Sequence, residues 1–146
     1  ALCDATLQVV VVLHTTTGWN LIVQNCKSLK QIIFYFKATC ALVVAEATLP
    51  SIHTEKQNDF LHDLVSNATK HHDRPFWIGF NDINVEGNFK WSDGSKINFI
   101  NWYNEVPDDF NEHEDCVHMN HHIPKKWNDL PCDEKLPYVC AYQNKS

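Results

Sequence analysis

Ile97-Asn98-Phe99-Ile100-Asn101-Trp102-Tyr103-Asn104-Glu105-Val106-Pro107-Asp108-Asp109-Phe110-Asn111-Glu112-His113-Glu114-Asp115-Cys116, followed by Trp127-Asn128-Asp129-Leu130-Pro131-Cys132, is the part of this chain whose reading decides its fold. From Ile97 to Cys132 there is little regular periodicity, and Asn, Asp, Glu, His and Pro dominate. A loop of this length is uncommon in a compact domain and usually carries function. Six acids fall between 105 and 115 (Glu105, Asp108, Asp109, Glu112, Glu114 and Asp115) with no Lys or Arg among them. Such a cluster repels itself, and a hard cation is its simplest neutraliser. Calcium takes six to eight oxygens from carboxylates, amide carbonyls, backbone and water. Asn128 and Asp129 add an amide and a carboxylate. A solvated acidic face is the alternative at this point.

Outward from this stretch, the 146 residues support one domain with its own core. Apolar residues make up 44% and charged residues 21%, which excludes a disordered composition. A net charge of -6 disfavours nucleic acid as a partner, since such binders carry a basic footprint. No apolar run approaches the ~18 residues of a membrane span. Leu7 to Leu13 is the longest run and reads as a strand or the remnant of a targeting segment. A strand-like run covers Ile32 to Phe36, and a helix is expected over Lys37 to Ala47. Thr54 and Gln57 form a capping box for a second helix, with Phe60, Leu61, Leu64 and Val65 as its apolar stripe. It should end before Lys70. Strands are expected at Phe76–Phe80, Phe89–Trp91 and Tyr138–Tyr142, the second closed by the turn Ser92-Asp93-Gly94.

Six cysteines (3, 26, 40, 116, 132 and 140) without a Cys-x-x-Cys pair favour disulfides in an oxidising compartment, and spacing leaves the connectivity open. Asn67-Ala68-Thr69 is a glycosylation acceptor, consistent with a secreted, extracellular protein.

Leu49-Pro50-Ser51-Ile52-His53, Trp77-Ile78-Gly79, Trp91-Ser92-Asp93-Gly94, Trp127-Asn128-Asp129 and the trailing cysteines together resemble the C-type lectin domain. The resemblance covers residues 48–142, with 1–47 as a divergent N-terminal part of the same domain and 143–146 as a tail. It implies an α+β, disulfide-stabilised C-type lectin-like fold with two helices, two small antiparallel sheets and a long calcium-binding loop. It also implies the pairs Cys40–Cys140, Cys116–Cys132 and Cys3–Cys26. The N-terminal part departs from the family: Thr15 stands where a cysteine is expected four residues before Trp19, and the Trp and Ala that precede the helix-one cysteine are missing.

In the family, a Glu-Pro-Asn or Gln-Pro-Asp triplet, a later Glu and the Asn-Asp of Trp-Asn-Asp hold the sugar-binding calcium. The corresponding triplet here is Val106-Pro107-Asp108, with Glu114 seven residues beyond Pro107, then Asn128 and Asp129. Valine offers no ligand oxygen, and the adjacent Glu105 is the candidate replacement. A second calcium site maps onto Asp82, Glu86, Asp109 and Asp115. Aspartate at the third triplet position is similar to galactose and N-acetylgalactosamine binders, and Phe110 stands near the position of a sugar-packing Trp. The resemblance therefore implies a calcium-dependent lectin of that class, recognising carbohydrate of glycoproteins or cell surfaces through Glu105, Asp108, Phe110, Glu114, Asn128 and Asp129. The alternative is a calcium-binding domain of the same fold that recognises protein, mineral or ice surfaces, since fold alone does not decide function. Val106 favours that alternative.

No enzyme is expected. There is no Ser-His-Asp pattern or phosphate-cradling glycine loop, and His113 and His118 are five apart rather than the four of a helical zinc motif. His113, His118, His121 and His122 are expected at the surface near the loop, where their charging below about pH 6.5 would oppose calcium.

Overall fold

The computed structural model describes residues 7–15, 18–26, 40, 47–134 and 136–143. β1 (Leu7–Thr15) and β2 (Gly18–Cys26) are antiparallel, in register from Leu7↔Cys26 to Thr15↔Gly18. The Leu7–Leu13 run is therefore a strand. Helix α1 spans Glu55–Thr69. Thr54, in extended backbone, accepts the Gln57 N–H through its hydroxyl at 3.1 Å. Gln57 Oε1 in turn accepts the His53 N–H at 2.7 Å, so the box closes one residue earlier than the standard pattern. Of the expected stripe, Leu61 and Val65 are buried and Leu64 packs against the core, while Phe60 lies at the exposed margin. The helix ends at Lys70, in the left-handed region. Asn67 is exposed in its last turn.

β3 (Phe76–Asn81), β4 (Lys90–Trp91), β5 (Cys116–Met119), β6 (Trp127–Leu130) and β7 (Tyr138–Gln143) complete the described strands. The long irregular stretch thus contains two strands. Both were hidden because β5 is buried at every position and β6 at all but its last, so neither shows alternation. The strand order is β2-β1-β7-β3-β5-β6, with β4 on β3. Where two small antiparallel sheets were expected, β7 meets β3 through the single pair Trp77↔Tyr138 and joins both groups into one path. The contacts β1·β7 and β3·β7 are parallel. The fold is α+β as expected, with the strand groups meeting at one point.

Cys40, in helical backbone, is bonded to Cys140 across 100 residues, and Cys116 to Cys132 across 16. The expected Cys3–Cys26 pair, the run Ile32–Phe36 and nearly all of the first helix lie outside the described residues.

The core is aromatic. Phe80 lies 4.4 Å from Trp91, 5.8 Å from Trp102 and 5.9 Å from Trp127 between ring centroids. Gly79 lets the backbone close over this core. Its N–H donates to Pro50 O at 2.9 Å, and a Cβ there would stand 2.8 Å from the carbonyl oxygens of Leu49 and Pro50. Its own carbonyl accepts the Ser92 N–H. Three of the sequence motifs are thereby bonded to one another, and they form the base from which residues 97–115 depart.

Candidate functional site

β6 presents Asn128 and Asp129, and its position is set from below. Trp127 is fully buried, and its Nε1 donates to Asn58 Oδ1 at 2.8 Å on α1. Asn58 Nδ2 donates to Lys125 O at 3.1 Å. Trp127 also accepts the Tyr103 N–H at 2.9 Å, which ties the start of the acidic loop to the strand.

The loop then turns sharply. The Val106–Pro107 peptide is cis, and Glu105, Asp109, Asn111 and Glu112 are left-handed. Carboxylates hold this backbone. Asp129 accepts the N–H groups of Asp108 (3.2 Å) and Asp109 (2.8 Å). Glu114 accepts that of Phe110 at 3.3 Å, and Asp109 Oδ1 accepts that of Glu114 at 2.9 Å. As a result, Asp108, Glu114 and Asp129 converge, with one oxygen from each within 4.8 Å of the others. Glu114 and Asp129 are buried and Asp108 is exposed, so the group opens to solvent on one side. The Cys116–Cys132 bridge fastens the two segments behind it.

A second group comprises Asp82, Glu86 and Asp115, again within 4.8 Å. The Asp82 N–H donates to Asp115 O at 3.1 Å, and Asp82 Oδ2 accepts the Gly87 N–H at 2.9 Å. Asp82 Oδ1 is buried without a hydrogen-bond partner. The charge of Asp109 reaches Glu86 and Asp115, while its Oδ1 accepts the Glu114 N–H and its N–H donates to Asp129, so this residue links the two groups.

Crowding leaves its mark on proton affinity. Desolvation, then the hydrogen bond and charge of Asp82 and the charges of Asp109 and Asp115, push the Glu86 carboxyl up to about 7. Burial pushes Glu114 up to about 7 as well, aided by Asp129 and Asp108 and opposed by the Phe110 N–H. Asp115 and Asp129 are also raised, first by burial. Each group pays to hold its charges together, and a cation would relieve that cost.

The other expected residues divide. Asn128 is buried, with Nδ2 donating to Asp129 O at 2.7 Å. Phe110 is 64% exposed, the most of any large apolar side chain described. Glu105 is exposed and stands outside both carboxylate groups. His118 corrects the surface expectation. It is buried in β5, its ring edge-on to Trp77, and its Nε2 lies 3.4 Å from Asn128 Nδ2. Burial lowers it to about 4, so it stays neutral in the range where charging was expected. Asn58 escaped the sequence reading. Its only signal was a polar residue one turn into an apolar-faced helix.

The donor set suits a hard cation: both groups consist of carboxylate oxygens, and the orphaned Asp82 Oδ1 is an acceptor awaiting a partner.

Residues 32–142 match the Lectin C-type domain family. A lectin of Pleurodeles waltl is 31% identical over 134 residues, covering 87% of this chain and 75% of that protein. The alpha-N-acetylgalactosamine-specific lectin of Patiria pectinifera is 37% identical over 94 residues, covering 63% of this chain and 55% of its own length. Among solved structures, the herring type II antifreeze protein superposes with a TM-score of 0.64 at 29% identity, covering 77% of this chain and 83% of that one. A family match that takes in the aromatic core, both described disulfides and the whole acidic loop leaves a single assignment: this chain belongs to the C-type lectin domain family.

Proposed function

We propose that this protein is a secreted, calcium-dependent carbohydrate-binding protein of the galactose/N-acetylgalactosamine class, acting on glycans of glycoproteins or cell surfaces. The observation that carries the reading is the convergence of Asp108, Glu114 and Asp129 at an opening beside Asn128 and Phe110. Asp108, Glu114, Asn128 and Asp129 would hold one calcium; Asp82, Glu86, Asp109 and Asp115 would hold a second that stiffens the loop. Calcium held by these residues would supply a centre for two vicinal sugar hydroxyls. The carboxylates accept hydrogen bonds from those hydroxyls, and the Phe110 ring offers a surface to the apolar face of the sugar. Aspartate at the third triplet position supports galactose over mannose, and the name of the Patiria relative points the same way.

A specific observation favours a second reading. Val106 removes one ligand oxygen, and Glu105 lies outside the carboxylate group. A calcium-binding domain that recognises a protein, mineral or ice surface fits that loss, and an antifreeze protein is among the structural neighbours. Passage over immobilised galactose and mannose in calcium, followed by a chelator, tests the two. Retention on galactose with chelator release is the expected result. Passage through both columns with calcium still raising the melting temperature would replace the first reading with the second.

A further inference from the structure

Three rings meet beside the triplet. The centroids of Tyr103 and His121 are 5.1 Å apart, those of Tyr103 and His122 5.5 Å, and those of His121 and His122 4.1 Å. Their planes are inclined by 76°, 54° and 59°, so they present a faceted patch rather than a flat one. His122 is exposed, and Tyr103 and His121 are half-buried. The ring of His118, 5.6 Å from His121 and edge-on to it, connects this patch to Asn128.

The patch is held in place. Tyr103 O accepts the Val106 N–H at 3.3 Å, which sets the ring-bearing residue one turn from the triplet. Asn120, 6% exposed, donates to Arg74 O at 2.9 Å and accepts the Lys125 N–H at 2.7 Å. The His121 N–H donates to Lys126 O at 3.1 Å. These bonds fix a loop with left-handed residues at Asn120, His122 and Lys125. The loop's lysines are engaged elsewhere, Lys125 with Asp59 at 3.1 Å and Lys126 with Asn101 at 3.0 Å. Burial and the neighbouring His122 lower His121 below its ordinary value. A ring surface with polar edges remains, of the kind that can stack on the C–H face of a pyranose while ring nitrogens and a phenol oxygen meet hydroxyls.

Resting on the carbohydrate-binding reading above, we propose that Tyr103, His121 and His122 form a second sugar subsite, which takes the penultimate residue of a galactose-terminated glycan. Val106, the first residue of the triplet, is half-buried and hydrogen-bonded to Tyr103 where the family carries an oxygen ligand, so contact with a second sugar offsets the missing ligand.

Calorimetric titration in calcium with methyl β-galactoside, lactose and N-acetyllactosamine tests this. The wild type should bind at least one disaccharide roughly three- to tenfold tighter than the monosaccharide. His122→Ala, at an exposed position, should bring that ratio close to one while affinity for methyl β-galactoside holds, and Tyr103→Ala should lower the ratio likewise. A wild-type ratio near one, or a ratio retained in both variants, overturns the subsite alone. Failure of the wild type to bind any of the three sugars overturns the carbohydrate reading together with it.

Discussion

Replacing Asp82 by asparagine should change the stability of the protein in opposite directions with and without calcium. Asp82 is 2% exposed, its Oδ1 lacks a partner, and carboxylate oxygens of Glu86 and Asp115 stand within 4.8 Å. At that spacing the Asp82–Asp115 pair alone repels by about 3.5 kcal/mol for an effective dielectric of about 20. Asp115 is partly exposed, and solvent screening brings the net cost to about 1–2 kcal/mol. Asparagine removes this repulsion, and its amide donates to the remaining carboxylates. In chelator, Asp82→Asn should therefore melt higher than wild type by about 2–8 °C, at roughly 2–4 °C per kcal/mol for a domain of this size. In calcium at about 100 times its dissociation constant, wild type should gain roughly 2.7 kcal/mol for each site filled. The variant should keep only the share from the Asp108, Glu114 and Asp129 group. Calorimetric melts in both buffers measure the four values. A variant that melts lower in chelator and retains the full calcium increment would refute the assignment of Asp82 to a cation site.

Removing Cys40–Cys140 as a double alanine variant should cost about 4.7 kcal/mol and removing Cys116–Cys132 about 3, from loops of 100 and 16 residues. Denaturant unfolding checks that order, and a larger loss from the shorter loop would contradict it. The carboxyls of Glu86 and Glu114, raised to about 7, contribute stability that is full below their unfolded value of 4.5 and lost as pH rises through about 7. Melts in chelator should fall from about pH 4.5 to 7 and level off above it, and in calcium the fall should vanish or reverse because ligation requires the charged form. Below about pH 6.5, buried His118, held near 4, opposes the gain by taking up its proton only on unfolding. If Glu105 replaces the ligand missing at Val106, Glu105→Ala should abolish galactose retention while Val106→Glu strengthens it. Unchanged retention in both would remove Glu105 from the site.

Local rules carried the reading of the helix and the buried strand. Thr54 and Gln57 marked the start of α1, and the apolar run at Phe76 gave β3, because capping and burial act on neighbouring residues. The family resemblance implied a shared site for Asp82 and Asp115, 33 residues apart, and in the structure their carboxylate oxygens lie within 4.8 Å. His118 and Asn58 were not legible. Each answers to a partner distant in sequence, Trp77 for the histidine and Trp127 for the asparagine, and no periodicity carries that information. The joining of the strand groups escaped for a similar reason: one residue pair, Trp77↔Tyr138, makes it.

The amides of Asp108, Asp109, Phe110 and Glu114 donate to carboxylates of the site itself. A proton placed on Asp129 or Glu114 weakens the acceptor that holds the loop, so loop opening and site ionisation share one free energy. Deuterium exchange at these four positions therefore reads the charge state of the site directly. Their protection should deepen when a cation fixes the carboxylates, with no ligand, fluorophore or label attached to the protein.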